Sequence, residues 1–144
     1  MSVQLPITDS KIVENIIPQK FPFVMVGGLL SWNSENLKSE FLVEKDNILV
    51  HDGYFQASGV LEHQAESVAL HTGYHFFLKN ETPPVGYIGA VKFFNIAFLP
   101  KIGDKIVTEV RILNEMMGVT LVSIESKVDG KLLATSEMKT VIKD

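Results

Sequence analysis

The densest group of proton-handling side chains lies in His51-Asp-Gly-Tyr-Phe-Gln-Ala-Ser-Gly-Val-Leu-Glu62-His-Gln-Ala-Glu66, with two histidines and two glutamates around the start of a helical pattern. A histidine that titrates near neutral pH and a carboxyl pushed upward make a base and an acid for one reaction. At 100° per residue Leu61, Ala65, Val68, Ala69, Thr72 and Phe76 share an apolar arc, and Glu62 falls about 20° beyond Ala69, at its margin. A carboxyl half-sunk in apolar surroundings has its charged form disfavoured, which suits a general acid. The same position also suits a solvated first-turn glutamate favoured by the helix dipole. Glu66 lies further toward the polar side and reads as surface. His51 closes a short apolar strand and opens a glycine-containing loop, where a rigid element can hold a functional side chain. His63, His71 and His75 offer no spacing that selects one of them, and His71 with His75 lacks a third ligand for zinc.

Other chemistries are excluded by composition. The 144 residues contain no cysteine, so disulfides, thiolate metal sites and cysteine nucleophiles are ruled out. Thirteen basic residues stand against seventeen acidic ones, Arg111 is the only arginine, and the net charge is −4, which disfavours a nucleic-acid partner. No P-loop, dinucleotide fingerprint, zinc-protease helix or nucleophile elbow occurs. The apolar run 21–30 is broken by Pro22, Gly27 and Gly28 and is too short to cross a bilayer. Residues 1–10 lack a basic stretch followed by an apolar block, so cytoplasmic residence is the expectation.

The elements that must position these residues follow from periodicity. One domain of this length buries roughly 68% of its unfolded surface. Asp9 or Ser10 can cap a short helix carrying Ile12, Val13, Ile16 and Ile17, ended by Pro18. Residues 23–32, 37–45 and 48–50 read as strands. The one long helical pattern is 59–78, with its apolar arc expected against a sheet. After the 80–84 loop everything reads as strand, at 86–98, 106–113, 119–128 and 132–142, with Asp129-Gly130 as a hairpin turn. Strands run together without intervening helices, so the expected class is α+β: an antiparallel sheet wrapped around one long helix, in a single domain spanning 1–144. Phe93, Phe94, Phe98, Phe76 and Phe77 read as core, or as lining for an acyl chain.

Four stretches carry a family resemblance. Ile16-Ile-Pro-Gln-Lys-Phe-Pro-Phe-Val-Met-Val26 resembles the opening Leu-Pro-His-Arg-Tyr-Pro-Phe-Leu-Leu-Val of the hotdog-fold β-hydroxyacyl-(acyl carrier protein) dehydratases. Glu62-His-Gln-Ala-Glu66 resembles their Glu-Ala-Met-Ala-Gln, Pro100-Lys-Ile-Gly-Asp104 their Pro-Gly-Asp turn, and Val128-Asp-Gly-Lys-Leu-Leu-Ala134 their closing hairpin. The loop around His51 departs from the family's His-Phe-Pro-Gly-His-Pro, as in divergent dehydratase-like proteins of aryl-polyene and related pathways. An ungapped register after Gly59 would put Gln64 at the acid position; the gapped one matches Ala65 and puts Glu62 there.

The resemblance implies a homodimer with its active site at the subunit interface. It implies removal of water from a 3-hydroxyacyl thioester on acyl carrier protein, with His51 as base and Glu62 as polarising acid. Gly59 would let the substrate carbonyl approach backbone N–H groups at the helix start. No metal or organic cofactor is called for. The alternatives are a thioesterase of the same fold and a non-catalytic acyl-binding subunit. Lys92, Lys101, Lys105 and Arg111 are the candidates for meeting an acidic carrier.

Overall fold

The computed structural model describes residues 4–84 and 86–142. Asp9 caps α1 (Ser10–Glu14) by accepting the Lys11 amide at 2.9 Å. Strands β1 (Gly28–Asn33) and β2 (Asn36–Leu42) precede a two-stranded hairpin, β3 (Val50–His51) and β4 (Tyr54–Phe55). Helix α2 (Ala57–Leu78) follows, and then β5 (Gly86–Ile96), β6 (Lys105–Met116), β7 (Val119–Val128) and β8 (Lys131–Ile142). The long strands form one antiparallel sheet ordered β1-β2-β6-β7-β8-β5, and α2 lies against its β2, β6, β7 and β5 strands. The expected sheet around a single long helix is borne out. Among the described residues no helix is long and apolar enough to cross a membrane.

Asp129 and Gly130 take φ of +49° and +78°, the conformation a tight β7–β8 hairpin requires. Asp52 and Gly53, at +52° and +84°, do the same between β3 and β4, so His51 sits on a hairpin rather than at the mouth of an open loop. That hairpin is tied to the turn at 100–104: the Phe55 amide donates to the Pro100 carbonyl at 2.8 Å and the Ile102 amide to the Gly53 carbonyl at 3.1 Å.

Two expectations need correction. Residues 23–27 are not strand, because the Met25 N–H and C=O, which a ladder would use, are taken by Glu66 and His63 of α2. The arc Leu61, Ala65, Ala69, Thr72 and Phe76 does not form the buried face of α2. Val60, His63, Gln64, Ser67, Leu70 and Tyr74 are buried instead, and of the expected arc only Val68 joins them fully. Burying that polar face is affordable because the sheet meets it with hydroxyls. The His63 Nδ1–H donates to the Met25 carbonyl at 2.6 Å, and the Thr108 hydroxyl donates to His63 Nε2 at 2.7 Å. The Ser126 hydroxyl donates to Thr108 at 2.6 Å, Gln64 Nε2 donates to Ser126 at 2.9 Å, and the Ser136 hydroxyl donates to Gln64 Oε1 at 2.7 Å. Each of the His63, Gln64, Thr108, Ser126 and Ser136 side chains thus has a partner. Of the phenylalanines expected in the core, Phe94 and Phe98 pack on the lower cluster around Phe55, while Phe93 is 70% exposed.

α2 also passes close to the 15–19 segment at Gly73, where a Cβ would overlap the backbone carbonyl of Ile16. Backbone cannot swing aside as a flexible side chain does. Gly73→Ala should therefore cost about 1–3 kcal/mol of unfolding free energy, read by urea denaturation; an unchanged midpoint would mean that the two segments are free to separate.

Candidate functional site

The carboxyl chemistry converges on one turn of α2. Glu62 is half-buried, as expected. Glu66, expected on the surface, is fully buried. Its Oε1 accepts the Met25 amide at 2.6 Å, while its Oε2 is sealed from water and no amide or hydroxyl reaches it. The group that faces Glu66 is the Glu62 carboxyl, one turn earlier on the same helix. Two carboxylates make a hydrogen bond only when one carries a proton, so a proton shared with Glu62 would satisfy the orphaned Oε2. Burial first, then the hydrogen bond and charge of Glu62, push the Glu66 carboxyl from 4.5 up to about 9 against the opposing pull of the Met25 amide.

The carbonyl of the same residue, Met25, is held by His63, which burial lowers from 6.5 to about 4. It is a neutral hydrogen-bonding group, with no free nitrogen left for catalysis. Sequence reasoning missed both roles because each depends on the 23–27 segment crossing α2. The usable signal was the resemblance of 16–26, which marks that segment as special without saying why.

These two shifts set a pH profile for stability. Folded Glu66 binds its proton more tightly than the unfolded chain, so its contribution is complete below pH 4.5 and is lost as pH rises toward 9. Folded His63 binds its proton more weakly, so its contribution is complete above 6.5 and is lost as pH falls toward 4. Between 4.5 and 6.5 the slopes oppose one another. Thermal melts from pH 4 to 9 should show a plateau in that interval and a decline on both sides, and Glu66→Gln should remove the alkaline decline and let the acid decline begin near pH 6.5.

His51 is placed apart from this centre. Its ring is 78% exposed and lies 3.3 Å from the Asp52 carboxylate, also exposed, and its carbonyl accepts from Gln56 Nε2. Among the described residues no hydrogen bond or ion pair joins His51 to Glu62. Gly59 is buried for a packing reason, since a Cβ there would lie 2.5 Å from the Phe55 ring. Its own amide donates to the Gln56 carbonyl at 2.9 Å. Among the described residues, the amides at the start of α2 without a backbone partner are those of Ala57 and Ser58. His71 and His75 stack on the Trp32 ring, and no group of three metal-ligating side chains occurs among the described residues.

The half-buried arc of α2 that the sheet leaves free lines a cleft. Ala65, Ala69 and Thr72 form one wall of this space of about 290 Å³, with Ile16, Pro84, Tyr87 and Val141 among the others. Its lining is largely apolar and it begins within one residue of Glu66 and three of Glu62.

An antiparallel sheet wrapped around one long helix is the architecture of the hotdog fold. Residues 11–143 match the ApeP-like family, described as ApeP dehydratase, and the chain belongs to that family. A curated relative is the 3-hydroxyacyl-[acyl-carrier-protein] dehydratase FabZ of Shewanella woodyi, 23% identical over 148 residues that cover 96% of this chain and 94% of the relative. Among solved structures, a chain of the dehydratase heterocomplex ApeI:P from Xenorhabdus doucetiae superposes with a TM-score of 0.85 at 16% identity, covering 99% of this chain and 93% of that one. A hypothetical thioesterase of Streptococcus pneumoniae, solved with coenzyme A, has a TM-score of 0.65 at 9% identity, covering 80% and 84%. At such identities the structural likenesses speak for the fold.

Proposed function

We propose that this protein catalyses the dehydration of a 3-hydroxyacyl thioester to the trans-2-enoyl thioester, in fatty-acid, aryl-polyene or related lipid biosynthesis. The observation that carries the reading is the carboxyl pair Glu62–Glu66 on the helix turn next to Ala65, which lines an apolar cleft, with Glu66 held by the buried Met25 amide. Family membership and the activity printed for the Shewanella relative agree with it. His51 takes the C2 proton, the electrons of that bond form the C2=C3 double bond, and the C3–O bond breaks. Glu62 protonates the departing hydroxyl, giving water. The thioester oxygen, which gains negative charge, is met at the start of α2 around Gly59, where the amides of Ala57 and Ser58 and the helix dipole favour an anion. The protein's part in this elimination is proton transfer and hydrogen bonding, so the chemistry calls for no metal or organic cofactor.

Within one protomer His51 and Glu62 are not joined, so the proposal places the site between two protomers, one giving His51 and the other Glu62. The edge strand β5 supports such pairing: Tyr87, Ile88, Val91 and Phe93 are exposed on it, and an open apolar edge is normally covered. A homodimer is the first expectation. The Xenorhabdus neighbour comes from a heterocomplex, so a related chain is the other candidate for the second protomer. The acyl group is carried on acyl carrier protein and the compartment is the cytoplasm. Lys105 is engaged with Glu40 at 3.2 Å and Arg111 with Glu109 at 3.3 Å, which leaves Lys92 and Lys101 as the better candidates for an acidic carrier.

The test is incubation of the purified protein with 3-hydroxyacyl- and enoyl-carrier thioesters across chain lengths. Interconversion with the thioester intact supports the dehydratase. Release of free thiol points to a thioesterase, and binding without turnover to an acyl-binding subunit.

A further inference from the structure

Glu66 is a buried acid in a place where the dehydration chemistry needs only one. Its surroundings are specific: the Met25 amide holds Oε1 at 2.6 Å, and Oε2 is buried with no donor. The Glu62 carboxyl is the charged group that acts on it, and no ion pair with a lysine or arginine reaches either glutamate among the described residues. The Met25 carbonyl is held by His63, neutral and fully bonded. Charge on both carboxyls would therefore be uncompensated, whereas one proton between them satisfies the orphaned oxygen and leaves a single negative charge.

We infer that Glu62 and Glu66 act as a carboxyl pair sharing one proton, with Glu66 the positioning residue that keeps Glu62 supplied with the proton it delivers. This rests on the dehydratase reading for the fate of that proton, though not for its existence. In the reaction the shared proton passes through Glu62 to the departing hydroxyl, forming water, while the C2 proton goes to His51. After product leaves, the proton on His51 returns to the pair through solvent, and both sites are restored. Glu66 touches no substrate atom. Its carboxyl acts only through Glu62, and its upward displacement to about 9 keeps the pair singly protonated through neutral pH.

The experiment combines an infrared pH titration in D2O with pH–rate profiles of the parent and Glu66→Gln. Gln keeps the size and an acceptor for the Met25 amide, but cannot hold the shared proton. The parent should show a protonated-carboxyl C=O band at neutral pH that disappears near pH 9, and Glu66→Gln should lack it. The variant's alkaline rate limb should move to lower pH, and its maximal turnover should fall about tenfold or more. A purely structural role would lower turnover without moving the limb. Absence of the band in the parent, or an unshifted limb in the variant, overturns the inference. Should Glu66→Gln not fold, Glu62→Gln reads the same interaction from the other side: the infrared midpoint of Glu66 should drop below that of the parent, and an unchanged midpoint overturns the pair. A parent inactive on every 3-hydroxyacyl thioester defeats the dehydratase reading, while the infrared result still decides the shared proton.

Discussion

Glu62→Gln should lower dehydration turnover by about 10²-fold or more, at an unchanged melting temperature. Glutamine retains the size and the hydrogen-bonding capacity of the side chain and loses only the transferable proton. The site is half-buried rather than packed, so little folding energy is at stake. His51→Ala should lose activity comparably and be still more neutral for stability, because its ring is largely in water and its contact with Asp52 is an exposed one. The two single variants make a sharper measurement when mixed. With the base and acid drawn from different protomers of a homodimer, a mixed dimer carries one doubly altered site and one intact site. Subunit exchange in an equimolar mixture should then restore roughly a quarter of the parental activity, since half of the dimers are mixed and each has one of two sites working. No recovery, with exchange shown by mass, would remove His51 or the shared interface from the mechanism. Recovery would fix both residues and their division between protomers at once.

How much of this could be read from the chain divides along the distance between partners. Strands 119–128 and 132–142 were legible nearly to the residue because alternation and the Asp129-Gly130 turn are local signals. So was the extent of α2, whose start lies two residues before the expected Gly59. The face it buries was not. The wheel ranks positions by hydropathy and cannot know that Thr108, Ser126 and Ser136, 45 to 72 residues further on, will supply hydroxyls for His63 and Gln64. With those partners the polar face becomes the buried one, and the apolar arc is released to line a cleft. Glu62 was found for a sound reason, its marginal position. Glu66 was misread because its burial depends on the Met25 amide, 41 residues earlier, in a segment that alternation marks as strand. Buried polar groups are paired by tertiary structure, and single-sequence periodicity carries no record of the pairing.

That buried network should also be the largest single contributor to stability among the polar residues. His63→Ala removes an imidazole that is completely buried and leaves the Met25 carbonyl and the Thr108 hydroxyl without their partners. A cavity plus unsatisfied groups should cost about 3–5 kcal/mol, a large share of the stability of a domain of this size. His63→Phe fills the volume and still orphans the carbonyl, so it should recover part of the loss. Thr108→Val is the complementary change: it removes the hydroxyl from the other end of the same bond and also strips Ser126 of its acceptor. Because the first change already breaks the bond that the second would break, their effects should be sub-additive by about 1 kcal/mol or more in a double-mutant cycle. Strict additivity in urea denaturation would mean that the chain of hydroxyls does not act as one unit. The same variants reach the site, since Glu66 holds the backbone N–H and His63 the backbone carbonyl of Met25, in the two peptide groups that flank its Cα. Loss of the His63 bond frees the amide that anchors Glu66 Oε1, so His63→Phe should lose turnover beyond what its remaining folded fraction accounts for.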